Sequence, residues 1–306
     1  MPRRHELGII RSERNPDAVI TLMLIRFEPM PPQHSVESQL SPVESPRTVD
    51  VLDVPLALTD YARTLQWMEA TIADGPRGYV CVCNVHTVMA SSEDPELRRA
   101  LLASSVNLPD GQPLVWAINA LGHPLASRVY GPELMSLACQ RESSSRRRQY
   151  LYGGRNQGAL VQLALNLRRR YPAIKIAGGY SPPHRPLTDQ EQSAVASDIN
   201  RSRADIVWVG IGVPKQEKWM GQMRPHLNAP LLVGVGAAFD FHAGLVPQAP
   251  AWIQQAGLEW AYRLGHEPRR LWRRYLRYNP RFLAAFARQL ARDGHSGARP
   301  NPAVTP

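Results

Sequence analysis

The stretch LPDGQPLVW at 108–116 places one carboxylate, Asp110, between a proline and a glycine, with apolar runs on both sides. A carboxylate held in a fixed position can act as a general base and take a proton from a reacting hydroxyl. Pro-Asp-Gly is also common turn chemistry, in which the aspartate only stabilises the backbone. Spacing alone favours the turn, and catalysis stays open as the alternative.

A pair of glycines interrupts YLYGGRNQGAL at 150–160, which reads as a strand followed by a helix start. Backbone N–H groups at a helix N-terminus bind phosphate, so Gly153 and Gly154 are candidate contacts to a diphosphate. Neither GxxxxGK[ST] nor GxGxxG is present, which excludes the P-loop and the dinucleotide fingerprint. A tight turn without a ligand is an equally good interpretation.

Three polar residues, Lys215, Gln216 and Glu217, follow Pro214 in VGIGVPKQEKW at 209–219. Proline fits the first turn of a helix, where its missing N–H costs nothing. Lys215 could neutralise a diphosphate, while Gln216 and Glu217 could bind sugar or ribose hydroxyls. A solvated helix start is the alternative, but so many polar side chains after an apolar strand favour a functional site.

Alternate glycines also mark VGVGAAFDFHAG at 233–244, where they weaken a strand unless a ligand or another backbone comes close. Asp240 follows and is either structural or a substrate contact. His242 is better interpreted as a structural histidine than as a catalytic one.

Each of these polar stretches follows an apolar run, and apolar runs alternate with amphipathic segments along the chain. The alternation predicts an α/β fold, a Rossmann-like and mainly parallel sheet flanked by helices. Ligands of such sheets bind at the carboxyl ends of the strands, which is where the polar stretches lie, Asn84 and His86 included. The predicted strands are TVDVLDVPL, YVCVCNV, VNLPD, QYLYGG, IKIAGGY, DIVWVGIG and PLLVGVGAAFDF, and the predicted helices span 60–75, 112–121, 132–141, 157–170, 188–201 and 215–226.

Composition limits the class of protein. The 306 residues are 43% hydrophobic, enough for a sizeable core, and three cysteines without metal-ligand spacing argue against a disulfide framework. No apolar run approaches the about 20 residues that cross a bilayer, and MPRRHELGIIRSER does not lead into a secretory signal. We therefore expect a cytoplasmic protein that is neither exported nor membrane-spanning.

Positive charge is concentrated near the C-terminus, where residues 263–292 hold nine arginines and one acid, Glu267. A basic amphipathic helix with aromatic residues on its apolar face is typical of a membrane-surface anchor, and a packed helix with a solvated arginine face is the alternative. Pro268 and Pro280 are expected to divide the run into shorter helices. On a helical wheel the apolar face holds Leu271, Trp272, Tyr275, Phe282, Phe286 and Leu290, and the opposite face holds Arg270, Arg273, Arg274, Arg277, Arg281, Arg288 and Arg292.

The sequence predicts that the chain has four parts. Residues 1–46, rich in proline, serine and glutamate, are predicted to be a disordered extension with a short strand at 19–27. Residues 47–258 form the α/β core, 259–294 the basic appendage and 295–306 a disordered tail.

Taken together and in order, the motifs resemble the WecG/TagA/CpsF family, family 26 of the glycosyltransferases, over about residues 48–280. The resemblance lies in CNVHTVMASSEDPELRRALLASSVNLPDGQPLVWA, RVYGPELM, YLYGG, RRRYPAIKIAGGY, ADIVWVGIGVPKQEKW, GVGAAFDFHAG and LEWAYRLGHEPRRLWRRYL.

The resemblance implies an inverting, metal-independent transfer of a sugar from a UDP-sugar to an undecaprenyl-diphosphate-linked saccharide in cell-surface or exopolysaccharide assembly. Asp110 takes the role of general base, Asn84 that of the strand-end asparagine, and Arg263, Arg270 and Arg273 those of appendage arginines that reach the active site. The family often has threonine two residues before the asparagine. Val82 stands there in this chain, so a hydroxyl contact is lost or supplied by another residue.

The implied partners are a UDP-sugar donor, a polyprenyl-diphosphate-linked acceptor and the anionic inner face of the plasma membrane, with no cofactor, metal or nucleic acid; a homo-oligomer stays open. The donor sugar is equally open between a hexose, an N-acetylhexosamine and N-acetylmannosaminuronic acid. A nucleotide-dependent oxidoreductase and a nucleic-acid-binding protein are the alternatives from other classes.

Overall fold

The computed structural model describes residues 44–145, 147–250, 253, 259–266 and 268–295. Most of the predicted N-terminal extension, with its strand at 19–27, and all but the first residue of the predicted tail lie outside the described residues. The side chains of Arg263, Arg270, Leu271 and Arg274 are also outside the description.

A six-stranded parallel sheet, in the order β4-β3-β8-β7-β5-β6, forms the centre of the structure. The predicted parallel α/β fold is therefore confirmed. The strands, including a separate hairpin of β1 and β2, are β1 (Thr48–Val51), β2 (Val54–Ala57), β3 (Gly78–Cys83), β4 (Val106–Pro109), β5 (Arg148–Gly153), β6 (Lys175–Tyr180), β7 (Ile206–Gly210) and β8 (Leu231–Gly234).

Helices cover both faces of this sheet, so its central strands β3, β7 and β8 are buried on two sides. In β5, Tyr150 and Tyr152 pack into one core layer while Leu151 packs into the other. The helices are α1 (Tyr61–Asp74), α2 (Val85–Ser91), α3 (Pro95–Leu102), α4 (Gln112–Ala120), α5 (Gly131–Ser145), α6 (Gln157–Arg170), α7 (Asp189–Ser202), α8 (Lys215–Met223), α9 (Ala238–His242), α10 (Glu259–His266) and α11 (Pro268–His295).

The segment TVDVLDVPL is a hairpin, so its prediction as one strand was wrong. Leu52 and Asp53 both have positive φ, 52° and 63°, as a two-residue hairpin turn requires. Leucine rarely adopts this conformation, and the sequence has no Asn-Gly or Asp-Gly at the turn. A tertiary contact supports it instead, because the Leu52 N–H donates to Gln289 Oε1 of α11 at 2.9 Å.

Two short helices, α2 and α3, lie between β3 and β4 where none was predicted. Both have local signals. The Asn84 side chain accepts the Thr87 N–H and Thr87 returns the bond in a capping box, while Asp94 caps α3 with Pro95 in its first turn. The capping places Asn84 directly at the carboxyl end of β3.

Two other boundaries differ from the predictions. The predicted strand PLLVGVGAAFDF ends at Gly234, and Asp240 and His242 lie instead on α9. The predicted helix 215–226 ends at Met223 and continues as a 3-10 turn, Arg224–His226.

Pro268 begins α11 as expected, but Pro280 does not end it, and that prediction was wrong. An internal proline removes one helical hydrogen bond at a cost of about 3 kcal/mol. Packing beyond the proline opposes this cost, since Phe282 and Phe286 are buried in the same core layer as the hairpin residues Val51 and Val54.

Candidate active site

Two cavities open at the carboxyl ends of the parallel strands. The larger cavity has a volume of about 660 Å³ and lies at the ends of β5, β6, β7 and β8. The smaller cavity, about 140 Å³, lies at the ends of β3 and β4 and is also lined by residues of α10 and α11. The predicted position of the site, at this edge of the sheet, therefore holds two distinct spaces.

Asp110 lines the smaller cavity at the end of β4. Its N–H donates to Cys83 O at 2.6 Å, and the next residue, Gly111, has a φ of 114° that lets α4 begin at once. The Asp110 side chain is 18% exposed, so the PDG turn holds a mostly buried carboxylate at the cavity wall. The two interpretations of Asp110 are therefore compatible, because the turn itself presents the candidate base to the cavity.

Arg128 is a charged neighbour of Asp110 that sequence reasoning did not single out. Its Nη1 lies 3.7 Å from Asp110 Oδ1, while its Nη2 donates to Glu259 Oε2. Its guanidinium also lies over the Tyr130 ring, 4.5 Å from the centroid. Burial alone would lower the pKa of Arg128, but the Asp110 and Glu259 carboxylates raise it above its usual value, so the guanidinium stays charged.

The appendage contributes to this cavity through residues that were not predicted. Glu259 and Trp260 of α10 line it together with Tyr275, Tyr278 and Asn279 of α11. The Tyr278 ring packs on His86 of α2, with 4.9 Å between the centroids. Arg128 and Glu259 do occur within the blocks RVYGPELM and LEWAYRLGHEPRRLWRRYL, which was the available sequence signal.

Asn84 also lines the smaller cavity, where its Oδ1 accepts the Thr87 N–H at 3.2 Å. Val82, two residues earlier, is 5% exposed and is buried in one of the two core layers of the sheet. Tyr61 accepts the Tyr130 N–H at 3.0 Å, and burial raises its pKa to about 12, so the phenol stays neutral.

Of the two predicted glycines, Gly154 lines the larger cavity and Gly153 does not. A Cβ on Gly153 would lie 2.5 Å from Gly210 O, and its φ is 136°, so only glycine fits between β5 and β7. Gly154 lines the cavity and donates its N–H to Gly210 O at 3.1 Å. The tight turn is thus real, and it brings the capped N-terminus of α6 to the cavity wall.

The cations of the larger cavity differ in their ion pairs. Arg155 donates two bonds to Asp240, at 3.0 and 3.1 Å, and Arg185 donates two to Glu191, both at 2.7 Å. Lys215 is exposed, and among the described residues no carboxylate lies within ion-pair distance of it. It is therefore the lysine that an anionic ligand would meet unneutralised. Lys218, the other lysine of the wall, pairs with Asp94 and Glu96.

Gln216 and Glu217 are buried, at 2% and 0% exposure, and line neither cavity. Gln216 Nε2 donates to Glu217 Oε1 at 2.9 Å, and burial raises the pKa of Glu217 to about 7. Gln216 lies next to Gly236 of the cavity wall. Their predicted contact with sugar hydroxyls stays a prediction, and the observed contact is between the two side chains.

Asp240 lines the larger cavity, while His242 has a structural environment. Its Nε2 lies 2.9 Å from Pro132 O, and burial lowers its pKa. The preference for a structural histidine agrees with this position.

Of the three arginines predicted to reach the site, only Arg273 has a described side chain, and it lines neither cavity. The backbones of Arg263 and Arg270 lie in α10 and α11, and their side chains are outside the description. Arg273 is exposed and its guanidinium lies 5.3 Å from the Trp272 ring centroid. The role of these three residues stays a prediction.

Metal-binding clusters and membrane-spanning helices are both absent from the described residues. Within those ranges, no group of three or more His, Cys, Asp and Glu side chains is arranged to hold a metal ion. None of the helices described is both long and apolar enough to cross a membrane.

Residues 49–296 match the profile of the glycosyl transferase WecG/TagA/CpsF family. The chain is 31% identical over 219 residues to the N-acetylglucosaminyldiphosphoundecaprenol N-acetyl-beta-D-mannosaminyltransferase of Bacillus spizizenii, covering 71% of this chain and 82% of the relative. It is 29% identical over 231 residues to the protein of the same name from Bacillus subtilis, covering 75% and 88%.

The parallel α/β fold with its strand-end cavities and the family match define the class of protein, a glycosyltransferase rather than an oxidoreductase. The chain belongs to the WecG/TagA/CpsF family, as its motifs had indicated.

Proposed function

We propose that this protein is an inverting, metal-independent transferase that moves a hexose or N-acetylhexosamine from a UDP-sugar to an undecaprenyl-diphosphate-linked saccharide. The observation that carries the proposal is the mostly buried Asp110 carboxylate at the wall of the smaller cavity, beside a cationic Arg128. Since both relatives are named for N-acetylmannosamine transfer to N-acetylglucosaminyldiphosphoundecaprenol, those two substrates are the first choice.

The larger cavity is the proposed donor site. Its volume of about 660 Å³ falls within the range of small-molecule sites, about 300–1,000 Å³. Lys215, together with backbone N–H groups near Gly154 and the N-terminus of α6, supplies positive charge for a diphosphate. In this proposal these groups supply the positive charge that a bound metal ion supplies in a metal-dependent transferase.

The smaller cavity is the proposed site of proton transfer. At about 140 Å³ it is too small for a whole saccharide and accommodates the reacting end of the acceptor. Asp110 takes the proton of the acceptor hydroxyl as that oxygen bonds to the anomeric carbon. The bond from this carbon to the diphosphate breaks on the opposite side, and UDP leaves with the electron pair. Fixed cations stabilise the charge that develops on it.

Association with an anionic membrane surface is the remaining part of the proposal. Trp272, Leu276 and Leu283 are exposed on α11, by 45%, 67% and 67%, and Trp260 is exposed on α10 by 43%. Exposed Arg269, Arg273 and Arg292 lie on the same helix. Apolar side chains beside arginines are the combination that binds a helix to anionic headgroups.

A donor panel tests this function. Purified protein is incubated with N-acetylglucosamine-diphospholipid and with UDP-N-acetylmannosamine, its uronic acid, UDP-glucose or UDP-N-acetylglucosamine, and disaccharide-lipid is measured with and without EDTA. We expect one donor to be used, without loss in EDTA, and the product to have the inverted anomeric configuration. Retention of configuration, or transfer that EDTA abolishes, would contradict the proposal.

A further inference from the structure

We propose that Glu259, on the appendage helix α10, is a positioning residue that holds Arg128 in place so that Asp110 can act as the base. This inference rests on the proposed function, because it needs Asp110 to accept the acceptor proton. It assigns the appendage a specific electrostatic task inside the cavity, separate from any contact with a membrane.

Glu259 is buried in the wall of the smaller cavity. This carboxylate is only 5% exposed although it lies on a helix at the edge of the core. Its Oε2 accepts a hydrogen bond from Arg128 Nη2, and in the described part of the chain its Oε1 is buried without a hydrogen-bond partner. Burying a charged group so completely is costly unless it is paired, so the Arg128 contact is what keeps Glu259 in the cavity wall.

Arg128 contacts its two carboxylates unequally. It donates a hydrogen bond to Glu259, whereas its Nη1 is 3.7 Å from Asp110 Oδ1, longer than a hydrogen bond. A guanidinium can bind one carboxylate through two parallel bonds, and a carboxylate bound in this way is a poorer proton acceptor. Glu259 therefore draws Arg128 away from a bidentate contact that would weaken the base.

The arrangement predicts what happens when the Glu259 charge is removed. A displacement of about 1 Å would bring the guanidinium into hydrogen-bond range of Asp110. The base would then be partly neutralised, and the step that needs it would slow. Donor binding would change little, because Glu259 and Arg128 line the smaller cavity and not the larger one.

A double-mutant cycle on the full-length protein tests the inference. Glu259→Gln keeps the size of the side chain and removes its charge. We expect kcat to fall on the order of tenfold while KM for the donor stays within about twofold. In an Arg128→Gln background the same substitution should cost nothing further, because the residue through which Glu259 acts is gone.

Two variants guard this test against a merely structural effect. Glu93→Gln removes a carboxylate that pairs with Arg277 and Arg281 of α11 outside both cavities, and it should leave kcat unchanged. If Glu259→Gln fails to fold by circular dichroism, Glu259→Asp replaces it and should give an intermediate kcat. Equal kcat values for wild type and the Glu259 variant, or additive losses with Arg128→Gln, would overturn the inference. Near-normal turnover of Asp110→Asn would instead overturn the base assignment itself.

Discussion

The carboxylate of Asp110 lies 3.7 Å from the guanidinium of Arg128, although the two residues come from different loops of the chain. Asp110 follows β4 directly, and Arg128 lies within the coil 123–130 that precedes α5 and returns to the same strand end. The Val129 N–H donates to Pro109 O at 2.9 Å and fixes this return. Backbone pairing therefore sets the distance between the candidate base and its cation.

Replacing Lys215 should weaken donor binding. Lys215→Met removes a lysine of the larger cavity that has no ion-pair partner among the described residues. Since a hydrogen bond to a charged group contributes about 1.5–3 kcal/mol, the Kd for UDP measured by calorimetry should rise by about tenfold or more. Lys175→Met is the matched control, because Lys175 is exposed at the start of β6 and lines neither cavity. An unchanged Kd in Lys215→Met would place the diphosphate elsewhere.

Glu217 should make stability depend on pH. Burial raises its pKa in the folded state to about 7 from a usual value of 4.5, so folding favours the protonated form. The contribution of Glu217 to the free energy of unfolding is fully present below about pH 4.5 and is lost as the pH rises through 7. The shift corresponds to about 3 kcal/mol, and Glu217→Gln should remove this pH dependence. Urea unfolding of both proteins from pH 5 to 8 measures it.

The control for that experiment is Glu191, whose pKa shifts the other way. Its hydrogen bonds with Arg185 lower the pKa to about 2 from 4.5. A lowered pKa stabilises the folded state above pH 4.5, and this is lost only as the pH falls through 2, so Glu191→Gln should leave the slope between pH 5 and 8 unchanged. Parallel slopes for wild type and Glu217→Gln would contradict the burial argument.

Gly153 should tolerate no side chain. In Gly153→Ala the new Cβ would lie 2.5 Å from Gly210 O, so backbone must move in a residue whose φ is 136°. We expect a loss of several kcal/mol, or failure to fold. Gly212→Ala is the matched control, because its φ of 82° is also positive while nothing lies within 4 Å of the added Cβ. The control should cost only about 1–2 kcal/mol, which denaturant unfolding resolves.

Membrane association should depend on the exposed apolar residues of α11. The double variant Leu276→Ser with Leu283→Ser removes two side chains that are each 67% exposed. Since each buried apolar side chain contributes about 1.5–3 kcal/mol, binding to anionic vesicles should fall by tenfold or more in sedimentation. The matched pair Val161→Ser and Leu165→Ser, also exposed but on α6, should bind as wild type does. Equal loss in both pairs would argue against α11 as the membrane contact.

The fold was largely predictable because the spacing of apolar residues along the chain indicates which faces of the strands and helices are buried. The mainly apolar runs YVCVCNV and DIVWVGIG contain β3 and β7, which are buried on both faces, and the helix 157–170 has the bounds that the pattern indicated. The failures share a cause. Leu52 in a left-handed turn and Pro280 inside a helix are held by tertiary contacts, with Gln289 and through buried Phe282 and Phe286, which no local pattern contains.

The position of the candidate site could be predicted from the sequence, whereas the set of residues that form it could be predicted only in part. Five of the predicted residues line the two cavities, and their roles there stay predictions: Asn84, Asp110, Gly154, Lys215 and Asp240. Polar density did not predict the burial of Gln216 and Glu217, which the first turn of α8 carries into the core, and their role in binding stays a prediction. Arg128 and Glu259 follow no strand, and only the fold brings them together.

Turnover of Asp110→Asn decides whether Asp110 is the base of a sugar transfer. Asparagine keeps the shape and the turn but accepts no proton. With UDP-N-acetylmannosamine and an N-acetylglucosamine-diphospholipid, kcat should fall by about 10²–10⁴-fold while UDP affinity and thermal stability stay near those of the wild type. Turnover within a few fold of the wild type would contradict the account.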